Sequence, residues 1–100
     1  MIIRVFKATV PKELHLEFEK KFKAISVPLV KGYEGLISLE IARPTQWNDC
    51  EFAMISRWEK EEHLVKFAGV AWNEAHIPQG METYITDCSV SHYVNIEISA

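Results

Sequence analysis

The chain has 100 residues, 48% of them apolar, and a formal net charge of −3, which is enough for one hydrophobic core and not for two. Its basic cluster, Lys20, Lys21 and Lys23, is interleaved with Glu17 and Glu19; such a pattern describes a solvated helix face and disfavours nucleic acid as a partner. No apolar run approaches the roughly 20 residues that cross a bilayer, and residues 1–6 are too short for a signal peptide and carry Arg4, so the expectation is a soluble cytoplasmic protein with no membrane partner.

Residues 2–10 alternate and are rich in β-formers, with Ile3 and Val5 on one side and Ile2, Phe6, Ala8 and Val10 on the other. Pro11 ends this strand because it lacks a ladder donor and suits the first turn of a helix. From Lys12 the apolar residues Leu14, Phe18, Phe22, Ile25 and Leu29 recur at helical spacing and form one stripe. Pro28 clashes with the carbonyl four residues back in a regular helix, which predicts an end near Ser26 and an irregular link through Gly32 and Gly35.

Residues 35–43 place Ile37, Leu39 and Ile41 on one face and Leu36, Ser38 and Glu40 on the other, the mark of a half-buried strand. Pro44 to Asp49 is turn chemistry, and residues 50–58 form a third strand in an antiparallel hairpin with the second. Residues 61–71 are helical through Leu64, Phe67, Ala68 and Ala71, with Gly69 weakening the end. A further short helical stretch is expected over residues 72–75, before Pro78 and Gly80. Residues 88–98 alternate, with Val90, His92, Val94, Ile96 and Ile98 on one face.

The order is βαββαβ, an α+β ferredoxin-like arrangement with a four-stranded antiparallel sheet in the order four, one, three, two. Both faces of the first strand carry apolar groups, so packing two sheets face to face in a homodimer, a dimeric α+β barrel, is the expected way to cover the open one. Cys50 and Cys88 then lie two strand spacings apart, about 9.6 Å, beyond the roughly 7 Å a disulfide tolerates; two reduced thiols are expected.

Gly32-Tyr33-Glu34-Gly35-Leu36 leads into strand two, and Ser56-Arg57-Trp58-Glu59 closes strand three. Phe67-Ala68-Gly69, Trp72, Ala75, Ile77-Pro78 and His92-Tyr93-Val94 follow in the second half. With these motifs the whole chain, residues 1–100 read as a single domain, resembles the antibiotic biosynthesis monooxygenase family of the dimeric α+β barrel superfamily, and the second half is similar to an uncharacterised subgroup of it. The resemblance implies two enzyme types: cofactor-free oxygenases that convert anthrones or hydroquinones to quinones, and haem-degrading enzymes that use an Asn, a Trp and a His. The haem pattern transfers badly, because Lys7 stands at the strand position expected to hold Asn, Phe67 best matches the position of the Trp, and His76 meets that of the His only after a one-residue slip.

His92 and His76 are the candidate catalytic residues. His92 shares parity with aliphatic residues, and a partly buried imidazole tuned near neutrality can act as base; the alternative is a core histidine with one satisfied hydrogen bond. Trp72, Phe67, Asn73 and Trp58 are candidates for lining an apolar cleft, against a plain core role for the aromatics. His15 and His63 fall among charged neighbours and read as surface residues. No metal spacing, nucleotide-binding loop or nucleophile elbow is present, so no metal and no cofactor is expected. Two functions remain: a cofactor-independent monooxygenase of an aromatic, quinol-like small molecule, and a non-catalytic dimer that binds or senses a small apolar ligand in the same cleft.

Overall fold

A computed structural model describes residues 1–98. Four strands, β1 (Ile2–Thr9), β2 (Leu36–Ala42), β3 (Glu51–Trp58) and β4 (Asp87–Val94), form one antiparallel sheet in the order β2-β3-β1-β4. This is the expected ferredoxin-like α+β order. Period-two alternation makes the inner face: β3 buries Phe52, Met54, Ser56 and Trp58 and turns Ala53, Ile55 and Arg57 to the other side. Phe18, Phe22 and Val30 from the first helical segment and Leu64 from the second close over that face. Truncating a buried aromatic such as Phe52 would cost about 3–5 kcal/mol through lost transfer energy and an unfilled void.

The first helical segment runs further than expected. A 3-10 turn (Lys12–Leu14) leads into α1 (His15–Lys21), a π-helical segment (Phe22–Ser26) and α2 (Val27–Lys31). The Val27 N–H donates to the Phe22 carbonyl five residues back, and this wider turn admits the Pro28 ring that a regular helix would exclude. The extra residue also rotates the stripe. Val30 is buried whereas Ile25 and Leu29, expected on the inner face, are 52% and 61% exposed.

Strand β2 is rephased in the same way. Its pairing steps from Leu36 opposite Trp58 to Ser38 opposite Arg57, so Ile37 is the extra residue of a bulge and points outward, while Leu36, Leu39 and Ile41 pack on the core. Helix α3 (Glu61–Ala68) stops at Gly69, which adopts φ 87°, and residues 70–73 form turns, with no further helix over 72–75. The following loop contributes Met81, Tyr84 and Ile85 to the core; the Tyr84 hydroxyl donates to Glu17 Oε1 at 2.9 Å, and the Thr86 N–H to the Thr9 carbonyl. Strand β4 ends at Val94 because Ile2, its partner, is the first residue of β1; Ile96 and Ile98 lie past the ladder and are exposed. The thiols of Cys50 and Cys88 are both free.

Gly35 explains part of the motif before β2. It has φ 88°, its carbonyl accepts from the Glu59 N–H at 2.8 Å, and a Cβ there would collide with the ring of His63 on α3. His63 is thus half-buried rather than a surface residue, with Nδ1 unpartnered among the described residues. His15 is also half-buried: its Nε2 lies 2.7 Å from the Val10 carbonyl and its ring edge-on to Phe52. Gly35→Ala should lower unfolding free energy by about 2–4 kcal/mol, the sum of left-handed backbone strain and overpacking. Urea denaturation measures this, and a change within about 0.5 kcal/mol would mean that α3 does not dock against Gly35.

Candidate functional site

A cleft of about 210 Å3 opens between the inner face of the sheet and the helices. Its floor is Arg4 and Phe6 of β1 with Met54 and Ser56 of β3. Phe67 and Ala68 form one wall, Phe22, Ser26, Leu29 and Val30 another, and Glu74, His76 and Pro78 stand at the rim. Apart from Arg4, Ser56, Ser26 and the rim, the lining is apolar, as expected of a site that holds a small organic molecule.

The sheet register sets a polar row across the floor. Arg4 is paired with Ser56 on one side and with His92 on the other, so three polar side chains from adjacent strands share the inner face. Arg4 Nη1 donates to the Trp72 carbonyl at 2.8 Å and lies 3.0 Å from His92 Nε2. A guanidinium has no lone pair to offer, so His92 accepts through Nε2 and carries its proton on Nδ1. The His92 ring stands edge-on to Trp72 with centroids 4.5 Å apart. Arg4 Cζ sits 5.9 Å from the centroid of Phe67, which stacks on Trp58 at 5.2 Å. Ser56 accepts the indole N–H of Trp58 at 2.9 Å.

These contacts set the protonation states. Burial pulls the Arg4 guanidinium below the ordinary arginine value, yet arginine stays charged under any physiological condition. His92 is held below 6.5, first by burial and then by the positive charge of Arg4.

The candidates from sequence therefore divide. Phe67 and His76 line the cleft, with His76 Nε2 4.0 Å from Glu74 Oε2 and its side chain 69% exposed. His92 is half-buried and stands behind Arg4, and Trp72 stands behind both, supplying its carbonyl to one and a perpendicular ring contact to the other. Trp58 is fully buried, under Phe67 and outside the lining. Asn73 occupies an exposed turn. Lys7 is exposed on the opposite face of the sheet, opposite Ala53 and Ser89, and Phe6 is the strand residue that meets the cleft next to Arg4. Arg4 and Ser56 were missed. The signal for Arg4 was its parity, a charge in register with Ile2, Phe6 and Ala8 on an apolar face.

The direction of the His92 shift fixes a pH dependence. The folded ring binds a proton less readily than the unfolded one, so its contribution to stability is complete above about pH 6.5 and is lost as pH falls below that value. Wild type should lose stability on acidification through this range more steeply than His92→Gln, as read from denaturant midpoints at several pH values. Parallel profiles would remove the Arg4–His92 contact from this account.

The sequence profile of the family described as antibiotic biosynthesis monooxygenase matches residues 1–69. No curated protein sequence matches the chain. Among solved structures, the chain is similar to the haem-degrader MhuD of Mycobacterium tuberculosis with two haems bound in its active site, at 19% identity and TM-score 0.72 over 99% of this chain and 100% of that one. A protein of Deinococcus radiodurans provisionally described as an antibiotic biosynthesis monooxygenase is 10% identical with TM-score 0.76, covering 100% of this chain and 97% of its own. One from Bacillus cereus with the same description is 20% identical with TM-score 0.64, over 99% and 97%. At these identities the structural likeness speaks to the fold alone, whereas the profile match spans most of the sequence, and the chain belongs to the antibiotic biosynthesis monooxygenase family.

Proposed function

We propose that the chain is a cofactor-independent monooxygenase acting on an aromatic, quinol-like small molecule, with residues 1–100 working as one unit in a cytoplasmic homodimer. The observation that carries the reading is the apolar cleft that joins an imidazole at its rim, His76, to the Arg4–Ser56 floor. Such chemistry needs no protein-borne redox group, because the substrate supplies the electrons. His76 takes a proton from an activated CH2 carbon acid. The resulting carbanion passes an electron to dioxygen, and the two radicals combine to a peroxide. Loss of water from that peroxide leaves a carbonyl, so that CH2 and O2 become C=O and H2O. His92 serves this scheme by holding Arg4, since its Nε2 lone pair faces the guanidinium. Trp72 fixes both, and Phe67 stacks on the ring of the substrate with Trp58 as its backing.

The second reading, a non-catalytic binding or regulatory dimer, is favoured by the same His92 bond and by the exposure of His76. Haem degradation is not favoured. Phe6 in place of a polar strand residue offers no hydrogen bond to a distal ligand, and a tetrapyrrole is several times larger than a space of about 210 Å3.

Oxygen uptake with an anthrone as substrate separates the readings. One O2 consumed per anthrone, and a loss of roughly 10²-fold in kcat in His76→Ala, supports the enzyme; uptake no faster than the uncatalysed reaction supports the binding module. The dimer rests on the open sheet face, where Ile3, Val5, Ala53, Ile55 and Tyr93 lie on adjacent strands. Sedimentation should give twice the 11.5 kDa chain mass, and a strict monomer at tens of micromolar would remove it.

A further inference from the structure

The floor of the cleft consists of donors without a matching acceptor. Arg4 Nη1 spends its two hydrogens on the Trp72 carbonyl and His92 Nε2, which leaves three N–H groups of the fork. No carboxylate of the described residues lies within 4.0 Å of this guanidinium. Ser56 is 2% exposed; its oxygen accepts from Trp58, and its hydroxyl, which rotates about the C–O bond, has a proton to give to a group in the cleft. A desolvated positive charge without a counterion is costly, and the cost is relieved when an anion enters. Across the row from Ser56 to Arg4, both groups facing the cleft have hydrogen-bond protons to give, and the guanidinium can only give.

We propose that the cleft binds a one- or two-ring aromatic oxyanion, a carboxylate or a phenolate, whose charged oxygen is received by Arg4 and Ser56 and whose ring lies against Phe67 and Phe6. The size follows from the cavity: an apolar space of about 150 Å3 holds benzene, so 210 Å3 takes one or two fused rings. The single charge follows from the rim, where Glu74, 67% exposed, repels a second anionic group near the mouth. This inference deepens the oxygenase reading, and rests on it only in using the same cleft. A guanidinium beside a phenol favours its ionised form, and a phenolate gives up an electron more readily than the phenol, so the anion site would also activate the substrate.

The test is binding at neutral pH of 2-naphthoate, its neutral isostere 2-naphthamide, and 2-naphthol, read by calorimetry and by the absorbance of bound naphtholate, on wild type, Arg4→Met and Arg4→Lys. Naphthoate should bind wild type at least about 10-fold more tightly than naphthamide, and Arg4→Met should lose that preference while Arg4→Lys keeps most of it. Naphthol bound as naphtholate at a pH where free naphthol is neutral assigns the site to phenolates; tight naphthoate with naphthol weak and un-ionised assigns it to carboxylates. Equal affinity of wild type for naphthoate and naphthamide overturns the proposal, and this comparison stands even if Arg4→Met does not fold. Naphthoate is not oxidised, so its binding is independent of turnover. Binding without oxygen uptake keeps the anion site and removes the oxygenase; uptake on an anthrone by a wild type that binds naphthoate and naphthamide equally does the reverse.

Discussion

A guanidinium on the inner face of a sheet has to be solvated by something other than water, and at Arg4 that task falls on the loop after α3 and on the edge strand. The Trp72 carbonyl and His92 Nε2 take the two hydrogens of Nη1, and the Trp72 ring supports the imidazole from the side. Residues 4, 72 and 92 belong to three separate parts of the chain, so the contact that makes the charge tolerable also closes the end of the fold where the cleft opens. Without it the loop 69–86 would still be held at its far end by Met81, Tyr84 and the Thr9–Thr86 bond, but the rim carrying Glu74 and His76 would lose its tie to the sheet.

Sequence periodicity was enough to fix the order of the elements and the sheet, because these rest on alternation and helical spacing with few interruptions. It failed where one residue was inserted into a regular pattern. The π segment at Phe22–Ser26 and the bulge at Ile37 each shift the phase by one, and a one-residue shift leaves Ile25 and Ile37 off the face their spacing assigned. Pro28 carried a true signal of trouble in the helix; the chain answers it by widening the turn instead of stopping.

The candidate site was legible in part for a related reason. His76 and Phe67 stand out by residue type, and both line the cleft. His92 also stands out by type, but its partner is set by the β1–β4 register, and no local pattern reveals that Arg4 lies opposite it. Ser56 belongs to a motif that closes β3; its place in the floor comes from its register with Arg4 and its bond from the Trp58 indole, neither of which a local pattern shows.

The account depends on His92 acting as an acceptor from Arg4, and that is a statement about one proton. Nitrogen-15 NMR of the histidine rings of the folded protein near pH 7.5 reads it directly. The account predicts that His92 holds the Nδ1–H tautomer, with an unprotonated Nε2 whose signal moves in Arg4→Lys. An Nε2–H tautomer at His92 would contradict it, because the ring would then have no lone pair to meet the guanidinium and the polar floor of the cleft would have to be built in another way.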